Sequence, residues 1–403
     1  MRNITTKLCT ITFFLTGLAF SQTWESKTGL QSNVRHHPVT WALDGFGYAT
    51  TGTDVNNNPT KDFFKYDPTS DAWETLADFP GPARSFSIGG VYNGEAYMGF
   101  GEGFNAVLND LWKYNATTEM WEELSSCPCT GRKHPTFTIN DQYGKIYVGK
   151  GNNATGNLKD WWEYDIASDS WTQLIDFPDT ARHHPYHFSI GDYSYTGLGH
   201  DANPQAARDD WYRFDPSTNS WDQMANAPGA RIAGTQFAYN GKGFVLSGDG
   251  LNHEATNPSI FWMYEPASDE WTVLNPHPGP SIWAPGSFII DDVLYFFGGV
   301  DFINQTFQTG MWSTNLNELL NEDSFATETV KIYPNPAENF ISITATNSDL
   351  KNSSVHIYSL DGRLVKEVKE IKNLIDVSKL TSGIYIIQVS NEEKTSTFKL
   401  VKK

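Results

Sequence analysis

Asp160-Trp161-Trp162-Glu163-Tyr164-Asp165, with Trp171 nine residues beyond Trp162, is the stretch from which the fold can be read, because close versions of it recur along most of the chain. Phe64-Lys65-Tyr66-Asp67 precedes Trp73, Trp112-Lys113-Tyr114-Asn115 precedes Trp121, Tyr212-Arg213-Phe214-Asp215 precedes Trp221, and Trp262-Met263-Tyr264-Glu265 precedes Trp271. A degenerate sixth copy stands at Met311-Trp312. The second tryptophans step by 48 residues and then three times by 50, a fixed period that marks stacked or circular supersecondary units. In the copy around Trp161, residues 136–139, 145–149, 161–165 and 171–175 are short aromatic or β-branched runs. Between them lie the turn formers Asn140-Asp141, Gly149-Lys150-Gly151-Asn152-Asn153-Ala154 and Ser168-Asp169-Ser170. Four strands in each unit, without a helical period, describe a propeller blade.

The blades resemble the kelch family. The resemblance is carried by glycine-rich ends of the second strand, such as Gly197-Leu198-Gly199 and Phe297-Gly298-Gly299, and by the cadence Tyr66-Asp67-Pro68-Thr69-Ser70-Asp71-Ala72-Trp73. The double glycine is mostly Gly-x-Gly here, so the resemblance is to a divergent bacterial branch. It covers residues 22 to about 318 and speaks for the fold, not for an activity. Trp73, Trp121 and Trp171 each precede an arginine by 11 residues, and Trp24 precedes Arg35 by the same 11. Trp24 therefore belongs to an orphan fourth strand, while the unit at Trp312 lacks one. The expected fold class is all-β: a six-bladed kelch-like β-propeller over 22–318, closed by the N-terminal strand so that no edge is left open, followed by a small C-terminal β-sandwich.

The ends of the chain read as addresses. Arg2 and Lys7, an apolar run up to Phe20 and the small residues around Ser21 predict a secretory signal peptide over 1–21, removed near Gln22. The run is too short to span a membrane, and no membrane span is expected in the mature chain. After a linker over 319–329, residues 330–403 form a second domain, with strands expected at 340–344, 354–358, 364–368, 384–389 and 395–400 and a hairpin at Asp361-Gly362. This segment resembles the C-terminal sorting domain of the type IX secretion system of Bacteroidetes, through Tyr333-Pro334-Asn335-Pro336, Ser359-Leu360-Asp361-Gly362-Arg363-Leu364-Val365, Ser382-Gly383-Ile384-Tyr385 and a lysine-ended tail. The resemblance implies the type IX machinery as a partner and, after general secretory export, delivery to the medium or the outer cell surface. Cys127 and Cys129, separated by Pro128, suit a strained local disulfide in an oxidising compartment. They could also join a metal site, although no second pair completes a zinc set. The formal charge of −18 hides a repeat region of −22 between two ends of +2 each, and so acidic a body should repel nucleic acid and anionic membranes.

Chemistry is expected on the face of the disc where each chain enters the first strand and leaves the second. Arg35, Arg84, Arg132, Arg182 and Arg231 occupy the entering loop of five blades, with Ser281 in the sixth. Three blades continue as Arg35-His36-His37-Pro38, Arg132-Lys133-His134-Pro135 and Arg182-His183-His184-Pro185. The opposing loops supply Asp54, Glu102, Asn152, Asp201, Asp249 and Asp301. A residue repeated in five blades more often serves the blade than a ligand, so the blade-specific His187, His200 and His253 carry additional information. Candidate ligand-binding residues are the five arginines with His37, His134, His184, Asp201 and Asp249. His184, His37, Tyr186 and Glu102 are the candidates for proton transfer. No Asp-x-Asp-x-Asp-Gly loop, Gly-x-Ser-x-Gly elbow or His-Glu-x-x-His run is present, so neither a metal nor a cofactor is expected. Two functions fit this face. One is a displayed propeller that binds a carbohydrate or a surface protein. The other is an enzyme on an acidic sugar, in which an arginine pair neutralises the carboxylate while a histidine exchanges a proton; similar architectures include kelch-like sialic acid mutarotases and propeller polysaccharide lyases that use His, Tyr and Arg. Galactose oxidase also has kelch repeats, but its cross-linked Cys–Tyr copper site has no counterpart in this sequence.

Overall fold

In the computed structural model, residues 24–202, 205–321, 331–344, 353–359, 363–369, 374–390 and 395–403 are described. The expected signal peptide, most of the expected linker and the expected hairpin at Asp361-Gly362 lie outside them. The chain divides into two compact units at Asn321/Glu322.

Among the described residues, the first unit contains six four-stranded antiparallel sheets, numbered in chain order. Sheet three, built from the deciding stretch, runs Thr136–Asn140, Lys145–Gly149, Trp161–Asp165 and Ser170–Gln173 from the inside outward. Its last strand begins and ends earlier than the residue pattern predicts. Ile175 has already left the ladder, its N–H donating to the Asn219 side chain of the next sheet. The innermost strands are Val39–Leu43, Ile88–Tyr92, Thr136–Asn140, Tyr186–Ile190, Thr235–Tyr239 and Gly286–Ile290. Each touches the next, and the last touches the first, so the sheets close into a ring around a central channel. The sixth sheet is completed by Glu25–Lys27, which pairs antiparallel with Met311–Asn315 in the register Glu25↔Ser313 and Lys27↔Met311.

The repeated aromatics glue each sheet to the one before it. Trp73 packs on Phe288 and Phe297 of sheet six, Trp121 on Trp41 and Phe63 of sheet one, Trp221 on Trp161 of sheet three, and Trp271 on Trp211 of sheet four. Trp24 does the same to Phe261 of sheet five. Several of these rings also donate their indole N–H across the seam, Trp73 to Thr28 O, Trp171 to Ser125 O and Trp271 to Ala225 O. The glycine that follows the second strand is required by its backbone: Gly52, Gly101, Gly151, Gly199 and Gly248 have φ between 84° and 101°, and a Cβ on Gly101 would meet Ser85 O at 2.4 Å. Cys127 and Cys129 are joined in a disulfide and buried between sheets two and three.

In the second unit, Lys331–Tyr333, Phe340–Thr344 and Ile375–Asp376 form one sheet, and Leu364–Val368, Ser354–Ser359, Gly383–Ser390 and Thr395–Lys402 another. Ile341 and Ile343 of the first share one apolar core with Val355, Ile357, Ile387 and Leu400 of the second, the sandwich the alternation predicts.

Candidate site at the mouth of the central channel

The channel holds a cavity of about 470 Å³ lined by the inner strands and by the residues that lead into them. Six equivalent residues ring its mouth: His37, Phe86, His134, His184, Ala233 and Ala284. All six adopt left-handed φ, between 52° and 60°. Neighbours in the ring are tied by backbone bonds, His134 N–H to Phe86 O and Ala284 N–H to Ala233 O. Sheets one to four therefore project a ring-bearing side chain at this level, and sheets five and six only a methyl group. Into the space so left comes Trp283, its ring centroid 4.6 Å from that of His37 and 6.1 Å from that of His184. His253 packs edge-on to Trp283 at 5.2 Å.

The three histidines meet. His37 Nε2 lies 3.3 Å from His184 Nε2, the rings of His134 and His184 are 3.6 Å apart, and one ring nitrogen from each histidine lies within 4.8 Å of the others. His134 Nδ1 is 3.1 Å from Asn152 Oδ1 and His37 Nδ1 is 2.7 Å from His36 Nδ1. His134 Nε2 and His184 Nδ1 are buried with no hydrogen-bond partner. Burial, reinforced by the neighbouring imidazoles, holds all three pKa values well below the ordinary histidine range, so the rings are neutral at pH 7.

Four of the five arginines are placed differently from the histidines. Arg35, Arg84, Arg132 and Arg182 are at most 2% exposed, and each grips the aspartate that precedes a third strand: Asp62, Asp110, Asp160 and Asp210. In Arg132 the fork is complete, NH1 and NH2 donating to the two oxygens of Asp160 at 2.8 and 2.7 Å, NH1 also to Lys150 O, and Nε to Thr130 O. Arg35, Arg84 and Arg182 repeat the arrangement. These guanidinium groups are buried and spent on the blades, each with its charge already paired to an aspartate. Arg231 differs: among the described residues no carboxylate hydrogen-bonds it, its Nε is buried without a partner, and it lies over Trp262.

The remaining candidates are mostly closed to solvent. Tyr186 is buried and donates its hydroxyl to Ser247 O at 2.9 Å, so the proton-transfer role expected of it has no path to the mouth. Asp201 is buried and accepts from Arg208 and Thr180. Asp249 is fully buried, accepts from Ser281 Oγ at 3.1 Å, and is pushed up to about 6, chiefly by desolvation. Glu102 accepts from Lys133 Nζ at 3.0 Å. His187 lines the channel below the mouth with Gln236, and His200 stands beside His183. Residue reasoning placed Asn152 on this face without a role, and it missed Trp283 and Lys150. The last is fully buried with no hydrogen-bond partner for Nζ, which lies over the Phe177 ring at 4.1 Å, at the x of a Gly-x-Gly; the equivalent positions in other sheets are Thr51, Phe100, Leu198 and Ser247.

Comparison with known proteins agrees with this architecture. The model of the Attractin/LZTR1 β-propeller matches residues 47–301, and that of the secretion-system C-terminal sorting domain matches residues 331–403. Among solved structures, one titled "Structure of YjhT" superposes with a TM-score of 0.55 at 15% identity, covering 64% of this chain and 89% of that one. At that identity the likeness speaks for the fold alone. No curated protein is similar in sequence.

Proposed function

The chain belongs to the Attractin/LZTR1 β-propeller family and ends in a secretion-system sorting domain, and from that premise we propose that it is a secreted binding module whose channel mouth takes a carbohydrate. The observation that carries this reading is the set of unpartnered polar atoms around one concave opening: His134 Nε2, His184 Nδ1 and Trp283 Nε1 are buried without hydrogen-bond partners and border the same cavity or its rim. A cavity of about 470 Å³ has the scale of a small-molecule pocket, not of a protein–protein surface. Phe86 and Trp283 offer faces on which a sugar ring can stack, and neutral imidazoles donate or accept from hydroxyls without demanding charge. With four arginines already paired, a neutral glycan suits the site better than an acidic one.

A second reading, an enzyme on an acidic sugar, keeps one supporting observation. Arg231 lacks a hydrogen-bonded carboxylate, and Asp249, whose carboxyl sits near pH 6, feels its charge. Asp249 is closed to solvent, so this reading comes second.

Calorimetric titration with neutral, uronate-containing and sialylated oligosaccharides separates the two. The binding reading expects saturable uptake of a neutral glycan, weakened about tenfold or more by Trp283→Ala because an aromatic contact is worth roughly 1–2 kcal/mol. Anomer exchange or unsaturated product by NMR with an acidic sugar would favour the enzyme. Binding that ignores Trp283→Ala would remove the mouth as the site.

A further inference from the structure

We propose that His37, His134 and His184 bind a divalent first-row transition-metal ion, zinc(II) being the reference ion, at the mouth of the channel. The inference goes beyond glycan binding and does not depend on it.

The residues come from three separate sheets, yet the equal loop geometry brings them to one level. The 3.3 Å between His37 Nε2 and His184 Nε2 equals the ligand–ligand edge, about 3.3 Å, of a tetrahedron with nitrogens at 2.0–2.1 Å from zinc. His134 supplies the third nitrogen. Its Nδ1 faces the side-chain oxygen of Asn152 and so carries the proton, which leaves Nε2 with a free lone pair, buried and unpartnered. Such a carboxamide contact behind the ligating ring fixes its tautomer and orientation. His36 stands behind His37 in the same way. Closing the widest of the three separations, at most 4.8 Å, asks for side-chain movement of about an ångström or slightly more.

The donor set also selects the ion. Among the described residues no carboxylate hydrogen-bonds the three rings, and an all-imidazole site favours zinc, copper, nickel or cobalt over calcium or magnesium. A buried ring nitrogen without a partner, as His134 Nε2 is, is costly unless something engages it, and a cation shared by three lone pairs does so. The acidic chain, with a net charge of −18, raises the local concentration of cations. Three protein ligands leave a fourth position facing the channel, where water or a ligand hydroxyl can sit.

The test is a cobalt(II) titration of the full mature chain after chelator treatment, with zinc as competitor. One equivalent is expected to give the visible absorption of a four- or five-coordinate ion and to be displaced by zinc, and zinc should raise the melting temperature. His134→Ala and His184→Gln should each weaken binding by about a hundredfold or more, and Asn152→Ala by roughly tenfold. His200→Ala should leave it unchanged. Should the variants fail to fold, X-ray absorption of the zinc-loaded wild-type chain decides alone: three imidazole nitrogens support the site, fewer overturn it. No stoichiometric uptake, or uptake undiminished by His134→Ala, would equally overturn it.

Discussion

A guanidinium at zero exposure must find partners for its charge and its donors, and Arg84, Arg132 and Arg182 do so by the same route in successive sheets. Removing one partner of such a pair leaves the other charge buried and alone, which costs about 3–5 kcal/mol, whereas replacing both by apolar residues is close to neutral. Arg132→Met should therefore lower unfolding stability by about 3 kcal/mol, since Asp160 would keep only the Trp162 indole as a side-chain donor. Arg132→Met with Asp160→Leu should recover much of that loss, and Arg231→Met should cost about 1 kcal/mol or less. Urea midpoints read all three, and equal losses for Arg132→Met and Arg231→Met would refute the pairing account. The structural use of the arginines was read in the residues, as the commoner role of a residue repeated in five blades; its aspartate partner was legible there too but was not named. The deciding stretch itself begins with Asp160, and Asp62, Asp110 and Asp210 hold the same place in their repeats. Where Arg231 stands unpaired that place is Ile260, and where Ser281 replaces the arginine it is Gly310. The aspartate thus stands in the four repeats whose arginine is paired and is missing in the two where no such pair exists. The histidine cluster was legible only in part: the repeat places His37, His134 and His184 at one level, but rotamers decide that the rings meet.

At the scale of elements, the missing fourth strand of the last unit and the orphan strand at Trp24 solve each other, and Glu25–Lys27 does lie on Met311–Asn315. Strand counting was legible because Trp, Arg and Gly recur at constant offsets. Strand ends were not, because the outer turns are set by inter-sheet bonds such as Asp71 accepting from Thr28 N–H and Oγ1–H, contacts between residues 43 apart. The N-terminal strand carries more than its three ladder pairs. Trp24 packs on Phe261, Thr28 O accepts from Trp73, and Leu30 joins the core between sheets six and one. Deleting residues 22–34 should expose the edge of Met311–Asn315 and open the seam on both sides. A loss of several kcal/mol would lower the melting temperature by about 10 °C or more, at roughly 2–4 °C per kcal/mol for a domain of this class, with aggregation visible by size-exclusion chromatography. A soluble monomer with an unchanged transition would show that the ring does not need the strand.

At the scale of the molecule, the two units have separate cores. Among the described residues, every member of the sandwich core, from Ala337 to Leu400, belongs to the second unit, while the six clusters of the propeller draw only on residues 24–320. Stability and delivery should therefore come apart on truncation. The second unit is a secretion-system sorting domain, so removing residues 326–403 takes away the export address and none of the contacts that close the ring. The truncated chain, exported through the inner membrane by the signal peptide read at residues 1–21, should accumulate in the periplasm and not at the cell surface or in the medium. Its propeller should keep the melting transition and the tryptophan near-UV circular dichroism of the full chain. Fractionation with immunoblotting, set beside calorimetry of the purified truncated protein, separates the two consequences. Normal delivery without the tail would overturn the sorting role. A lowered transition would instead show that the sandwich supports the propeller, which the separate cores do not allow for.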